Sequence, residues 1–243
     1  LEGAQTLAYR YQDLAGQYQR VGHPDLKATL ERAMQAFARA LLIDPSHAGT
    51  LTYAMETNSK LVAIVRSSAE LKTELGREED SVAACRKALG EHFICDANRL
   101  VAYAAAAERG FRAGQDLKPL LDVVNKSVSI VRKNEVNASE VEQSILLARW
   151  VALAAAHKLE QDLESPTSEF RETQARCFAL DKDDPYCHML VAQAAWILVE
   201  ATDKPKAQRA GLNDALEHAT TAADHPLRIA AAAQTLAETQ VRL

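Results

Sequence analysis

Apolar residues recur three and four positions apart along almost the whole chain, the period of an α-helix with one face packed. Alanine runs such as "AYAAAAE" and "RIAAAAQTLAE" reinforce that period. Alanine loses no side-chain entropy on joining a helix and is its strongest former. Only nine glycines and seven prolines interrupt the pattern, so the chain reads as all-α. Breaks fall at Gly22-His23-Pro24, Asp44-Pro45, Gly76, Gly90 to Asp96, Gly110 to Gly114, Asn134 to Asn137, Ser165-Pro166, Asp181 to Pro185, Asp203 to Pro205 and Asp224-His225-Pro226. Between them the spacing predicts about eleven helices. Pro45-Ser46, Asp184-Pro185 and His225-Pro226 put proline where a first helical turn tolerates it. "VVNKSVSIV" (123–131) is rich in β-branched residues, yet Leu117, Leu120, Val124, Val128 and Val131 keep helical spacing and predict a helix there too.

Charge narrows the roles open to such a chain. The 243 residues are 48% hydrophobic and 25% charged, ordinary globular usage that argues against disorder. The net charge of −5, without any Lys/Arg-rich run or interleaved aromatics, argues against a nucleic-acid partner. The longest uncharged stretch, within "DPYCHMLVAQAAWILVE", is shorter than the roughly 20 residues of a membrane span. No secretory signal pattern opens the chain, and Leu1-Glu2-Gly3, without an initiator Met, reads as the start of a domain cut from a longer protein.

The sequence also resembles itself. Five times a helix ends in a polar corner and an alanine-rich helix follows, as in "ARALLIDPSHAGTLTYAME" and "CFALDKDDPYCHMLVAQAAW". The corners return roughly every 40–50 residues, the band of helical-repeat solenoids. The first 45 residues resemble a tetratricopeptide repeat, W-x2-L-G-x2-Y then A-x3-F then P: Tyr11-x2-Leu14-Ala15-x2-Tyr18, Ala33-x3-Phe37, then Ala40 and Pro45. Ala15, Ala33 and Ala40 would let the two helices approach, with Leu14, Tyr18 and Phe37 filling the seam. The repeat departs from the family by an insertion around "VGHPDLKATL". The fourth corner keeps Val191-Ala192 and ends with Trp196, but puts Cys177 where a small residue belongs; the middle repeats match by rhythm.

The resemblance implies a single domain over 1–243, a right-handed superhelical solenoid of about five antiparallel helix pairs (4–45, 46–92, 93–134, 135–183 and 184–224). A capping helix over 226–243 would turn Arg228, Gln234, Glu238 and Arg242 to solvent. Stacked pairs create an extended concave surface, so the resemblance implies a protein or peptide partner rather than catalysis. The family lines its groove with the first helix of each pair. Carried over, the groove positions are Gln12, Gln19, Thr52, Glu56, Arg99, Tyr103, Met189, Gln193 and Trp196. Arg99 and Tyr103, a cation and an aromatic one turn apart, form the strongest pair. The family's chaperone-binding subgroup holds a C-terminal carboxylate with Lys and Asn; Gln12 and Gly16 stand there instead, which argues against that ligand. In style the repeats are similar to helical domains appended to bacterial serine/threonine kinases, although no kinase signature is present.

The cysteines leave two readings open. Cys85–Cys95 and Cys177–Cys187 share one spacing, and each pair flanks a helix corner. Facing positions across such a corner can reach the 4.4–6.8 Å that a disulfide needs between Cα atoms. Equally, free cysteines pack well between helices. Bridged pairs would indicate an extracytoplasmic, oxidising compartment, and free thiols a cytoplasmic one.

Around the second pair, Asp181-Lys-Asp183-Asp184 begins like a calcium loop. Tyr186 and Ala192 occupy the places that need Gly and Glu. Cys177, Cys187 and His188 lack zinc spacing, and Asp184 is more simply an N-cap. The Asn125 and Asn137 triplets fit a glycosylation signal, but "NASE" reads as a helix start capped by Asn137 or Ser139. The run Glu78-Glu79-Asp80 after Gly76 reads as an acidic helix start. His23, His47, His92 and His225 sit at corners, with His157 and His218 near helix ends, where capping or solvation is the plainer role.

No phosphate loop, HExxH, nucleophile elbow or cofactor motif is present, so an enzyme is not expected. The expectation is a regulatory or sensory protein-binding module of a larger chain. The alternative is a ligand- or metal-responsive helical sensor with a pocket inside the superhelix.

Overall fold

The computed structural model describes residues 1–90, 92–136, 138–225 and 230–242, and among them every regular element is a helix. The chain divides into two compact units, Leu1–Val136 and Asn137–Leu243.

The first unit holds α1 (Glu2–Val21), α2 (Leu26–Ile43), α3 (Ala48–Ile64), α4 (Ser68–Leu89), α5 (Phe93–Arg112) and α6 (Lys118–Lys133). Each helix packs on the next, and α3 also packs on α5. The segment over 123–131 is thus helical despite its β-branched residues, because Val124 and Val131 are buried. Where α1, α2 and α3 meet, Ala8, Ala33, Ala36, Phe37 and Ala54 form one buried cluster with Tyr9 and Tyr11 against it. Ala15, Ala33, Ala40 and Phe37 are buried as the seam requires, whereas Leu14 and Tyr18 are only partly covered. Tyr18 instead stacks on His23, ring centroids 4.1 Å apart. The α1 stop is legible in Gly22, which takes the left-handed conformation (φ 63°) while its N–H and that of His23 bond back to Gln19 and Tyr18.

The second unit holds α7 (Ser139–Lys158), α8 (Glu164–Leu180), α9 (Pro185–Glu200), α10 (Pro205–Asp224) and α11 (Ala230–Arg242). Its centre is α9, which packs on α7, α8, α10 and α11 and buries almost every residue from Pro185 to Trp196. A Cβ at Gly211 would strike Val199, so glycine sets the close approach of α10 to α9. Of the expected terminal helix, Gln234 and Glu238 are exposed on α11. Pro226 to Ile229, with Arg228, and the Arg242 side chain lie outside the described residues.

Several expected boundaries move. Gly76 lies inside α4, and the chain breaks instead at Val65-Arg66-Ser67. There the Ser67 hydroxyl accepts from the Glu70 N–H and the Glu70 carboxylate accepts from the Arg66 N–H, close to the reciprocal bonding of a capping box. Glu78-Glu79-Asp80 is therefore mid-helix and not a helix start. Pro166 stands in the first turn of α8, where its missing N–H breaks no helical bond; the break lies at 159–163. Pro45 precedes α3 by a turn, and His47 caps that helix by accepting from the Thr50 N–H. His92 caps α5 in the same way. Asp184 caps α9 as expected, accepting from the Cys187 N–H at 2.8 Å. Ala138 occupies the N-cap position of α7 and supplies no side-chain cap; Asn137 lies outside the described residues.

Candidate binding surface

The residues expected to line a groove on the first helices are differently placed. On α1, Gln19 is exposed but Gln12 is buried. On α3, the Thr52 hydroxyl donates to the Ala48 carbonyl and Glu56 pairs with Lys60 one turn on, so both are occupied within their own helix. On α9, Met189 and Trp196 are buried, Trp196 at 8% exposure against Ala195 and Ala215. Gln193 donates to the Thr235 hydroxyl of α11.

Arg99 and Tyr103 are brought together on α5, the guanidinium 5.5 Å from the ring centroid. The Arg99 fork, however, binds both oxygens of Glu79 on α4 at 2.8 and 2.9 Å, and Tyr103 is only 8% exposed. Burial, with Glu79 beside it, pushes the Tyr103 hydroxyl above its ordinary range. The pair therefore locks α4 to α5. Helical spacing located it, and the carboxylate twenty residues away that claims the cation gave no local signal.

Next to this lock lies a feature that sequence reasoning missed. Glu78 is fully buried, and the Asn58 amide of α3 donates to it at 3.0 Å and to the Glu74 carbonyl at 3.0 Å. Glu78 Oε1 and Asn58 Oδ1 are buried acceptors without a hydrogen-bond partner among the described residues. Burial raises the Glu78 carboxyl to about 7, although the Asn58 hydrogen bond pulls the other way.

The cysteines of each pair stand at disulfide distance. Cα atoms are 5.8 Å apart for Cys85–Cys95, joining α4 to α5, and 6.5 Å for Cys177–Cys187, joining α8 to α9. His188 turns away from the second pair: its Nε2–H donates to the Lys182 carbonyl at 2.9 Å and its Nδ1 meets His218 Nδ1 at 2.6 Å. A carbonyl only accepts, so His188 Nε2 carries a hydrogen, and a single hydrogen is shared between the two Nδ1 atoms. Burial lowers His218 below its ordinary value despite Asp214 one turn away, and Phe178 stacks on its ring. These groups fasten α9 to α10 and to the corner before α9.

A well-formed opening lies between α2 and α4 of the first unit. It encloses about 720 Å³. Its α2 wall is Lys27, Glu31, Met34, Gln35, Ala38 and Leu41, one helical stripe; Ala54 of α3 forms the floor. The α4 wall carries Glu70, Glu74, Arg77 and Asp80. Lys27 pairs with Glu70 across the opening, and the ammonium together with the Arg66 N–H holds the Glu70 carboxyl down at about 2. Arg77 pairs with Glu74 along α4. An open trough with an apolar floor and charged walls suits a side-chain-bearing segment. No helix among the described residues is long and apolar enough to cross a membrane. No protein-family model matches this chain, and no curated protein is significantly similar to it in sequence.

Proposed function

We propose that this chain is a non-catalytic scaffold of tetratricopeptide type that binds a protein or peptide segment. In this reading α1–α10 form five helix pairs and α11 is a terminal helix, within a regulatory or sensory part of a larger protein, of the kind attached to bacterial serine/threonine kinases. The observation that carries it is the open α2–α4 trough, whose volume is of the size that takes side chains. Elsewhere Arg99 and Gln193 are spent on holding helices together, and Thr52 and Glu56 bond within their own helix. The two cysteine pairs at disulfide distance fit a protein that works in an oxidising compartment.

The test is selection from a displayed peptide library against the full oxidised chain, followed by hydrogen exchange with the selected peptide. Slowed exchange over α2 and α4 supports the reading. A library that yields no binder above background sinks it.

A further inference from the structure

Resting on that reading, we propose that the α2–α4 trough receives a basic amphipathic helix of three to four turns supplied by a partner protein. Length comes first. The lining stripe of α2 runs from Lys27 to Leu41 and that of α4 from Ala69 to Ser81. At 1.5 Å per residue these walls are about 21 and 18 Å long, the length of about 13 helical residues. Both walls are helices packed on α3, and the space between them is where a further helix would lie.

Apolar content gives the helix its inner face. Met34, Ala38 and Leu41 on α2 and Ala54 on α3 line the opening. Leu42, next to Leu41 on α2, is 84% exposed.

Charge selects the outer face. Four carboxylates (Glu31, Glu70, Glu74 and Asp80) stand against two cations, Lys27 and Arg77. Both cations already pair with carboxylates of the same opening. Glu31 and Asp80, one on each wall, form no ion pair among the described residues. A ligand carrying Lys or Arg on both flanks of an apolar stripe would meet opposite charge on both walls at once, whereas an acidic ligand would meet like charge at Glu31 and Asp80. The most basic of the described helices, α6, has Val124 and Val131 buried and packs on α5, so it is not the occupant, and the proposal assigns that place to a partner protein.

Two labelled helical probes of about 14 residues test the proposal against the full chain by fluorescence anisotropy. They share one Leu/Ala face and carry Lys or Glu on the other. The Lys probe is expected to bind about tenfold more tightly than the Glu probe, with affinity falling as salt rises. Glu31→Gln with Asp80→Asn should weaken the Lys probe about tenfold. Glu2→Gln with Asp203→Asn, the same charge change outside the trough, should leave it unchanged, and Ala38→Arg should block it. Equal binding of both probes, each blocked by Ala38→Arg, overturns the basic preference while leaving a segment-binding trough. Binding of neither probe overturns the trough itself. A control pair that weakens the Lys probe as much as the wall variants would reduce the effect to bulk attraction and overturn the proposal. Self-association that Ala38→Arg abolishes overturns it as well, making the occupant a second copy.

Discussion

Phe37 is fully buried between α1, α2 and α3, with the Tyr9 ring edge-on at 5.7 Å. Its neighbours are mainly alanines, which cannot extend to refill the space. Phe37→Ala should therefore cost about 3–5 kcal/mol in urea unfolding; a loss below about 1 kcal/mol would mean that the site collapses or that the ring is not packed there. Glu78 makes a pH-dependent contribution of definite sign. Its folded value of about 7 lies above the ordinary carboxylate value, so the folded chain keeps a proton that the unfolded chain has released. Stability from this group is thus greatest below about pH 4.5 and declines as pH rises to about 7, by about 3 kcal/mol for a shift of this size. Unfolding of wild type and Glu78→Gln at pH 5 and pH 8 isolates the effect. The variant should gain relative stability at pH 8, and parallel behaviour at both values would show an ionised, compensated Glu78.

Among the elements, α4 carries the clearest conflict between local and tertiary preference. Gly76 is exposed inside it, and a Cβ there would meet nothing within 4 Å. Glycine in a helix interior forfeits backbone entropy without a packing return, so Gly76→Ala should stabilise the chain by about 1 kcal/mol in chemical denaturation. A destabilised Gly76→Ala variant would reveal an unhelical backbone at this position. The helix survives its glycine because both ends and one face are held. Ser67 and Glu70 fix the start, Leu71 and Val82 are buried, and Glu79 grips Arg99 of α5. At its far end the Arg86–Asp96 pair, 2.8 Å, and Cys85–Cys95 tie it to α5 again.

Across the whole molecule each compact unit contains one cysteine pair at a helix corner, Cys85–Cys95 in the first and Cys177–Cys187 in the second. Each closes a loop of sequence separation 10, for which the loop-entropy model gives about 2–3 kcal/mol per bridge. Denaturant unfolding with and without reductant should differ by about that amount for each bridge formed. Equal midpoints, with four thiols alkylated in unreduced protein, would show that the cysteines only pack. The Asp184 cap and the helicity of α6 were legible in order and spacing; the resemblance gave the burial of Ala15, Ala33, Phe37 and Ala40, but it also put Leu14 and Tyr18 in the seam, where they are only partly covered. The α4 start was legible too, in Ser67-x-x-Glu70, but Gly76 is the louder signal and carries less weight than the cap. Glu78, the His188–His218 contact and the α2–α4 trough had no local signal, since each joins positions from different helices.

By itself the sequence determined that this protein is all-α and where most of its helices begin and end. Those outcomes depend on alanine content, three-and-four spacing, glycine in a left-handed cap and side chains that bond the first free N–H groups, all within a few residues of one another. Only the tertiary structure decided which polar side chains are paired and which stay exposed and unpaired. Arg99 looked available until Glu79 took it, and Glu31 looked unremarkable until α4 stood opposite. Exposure and charge compensation are properties of helices packed together, and the distances that set them run between residues far apart in the chain.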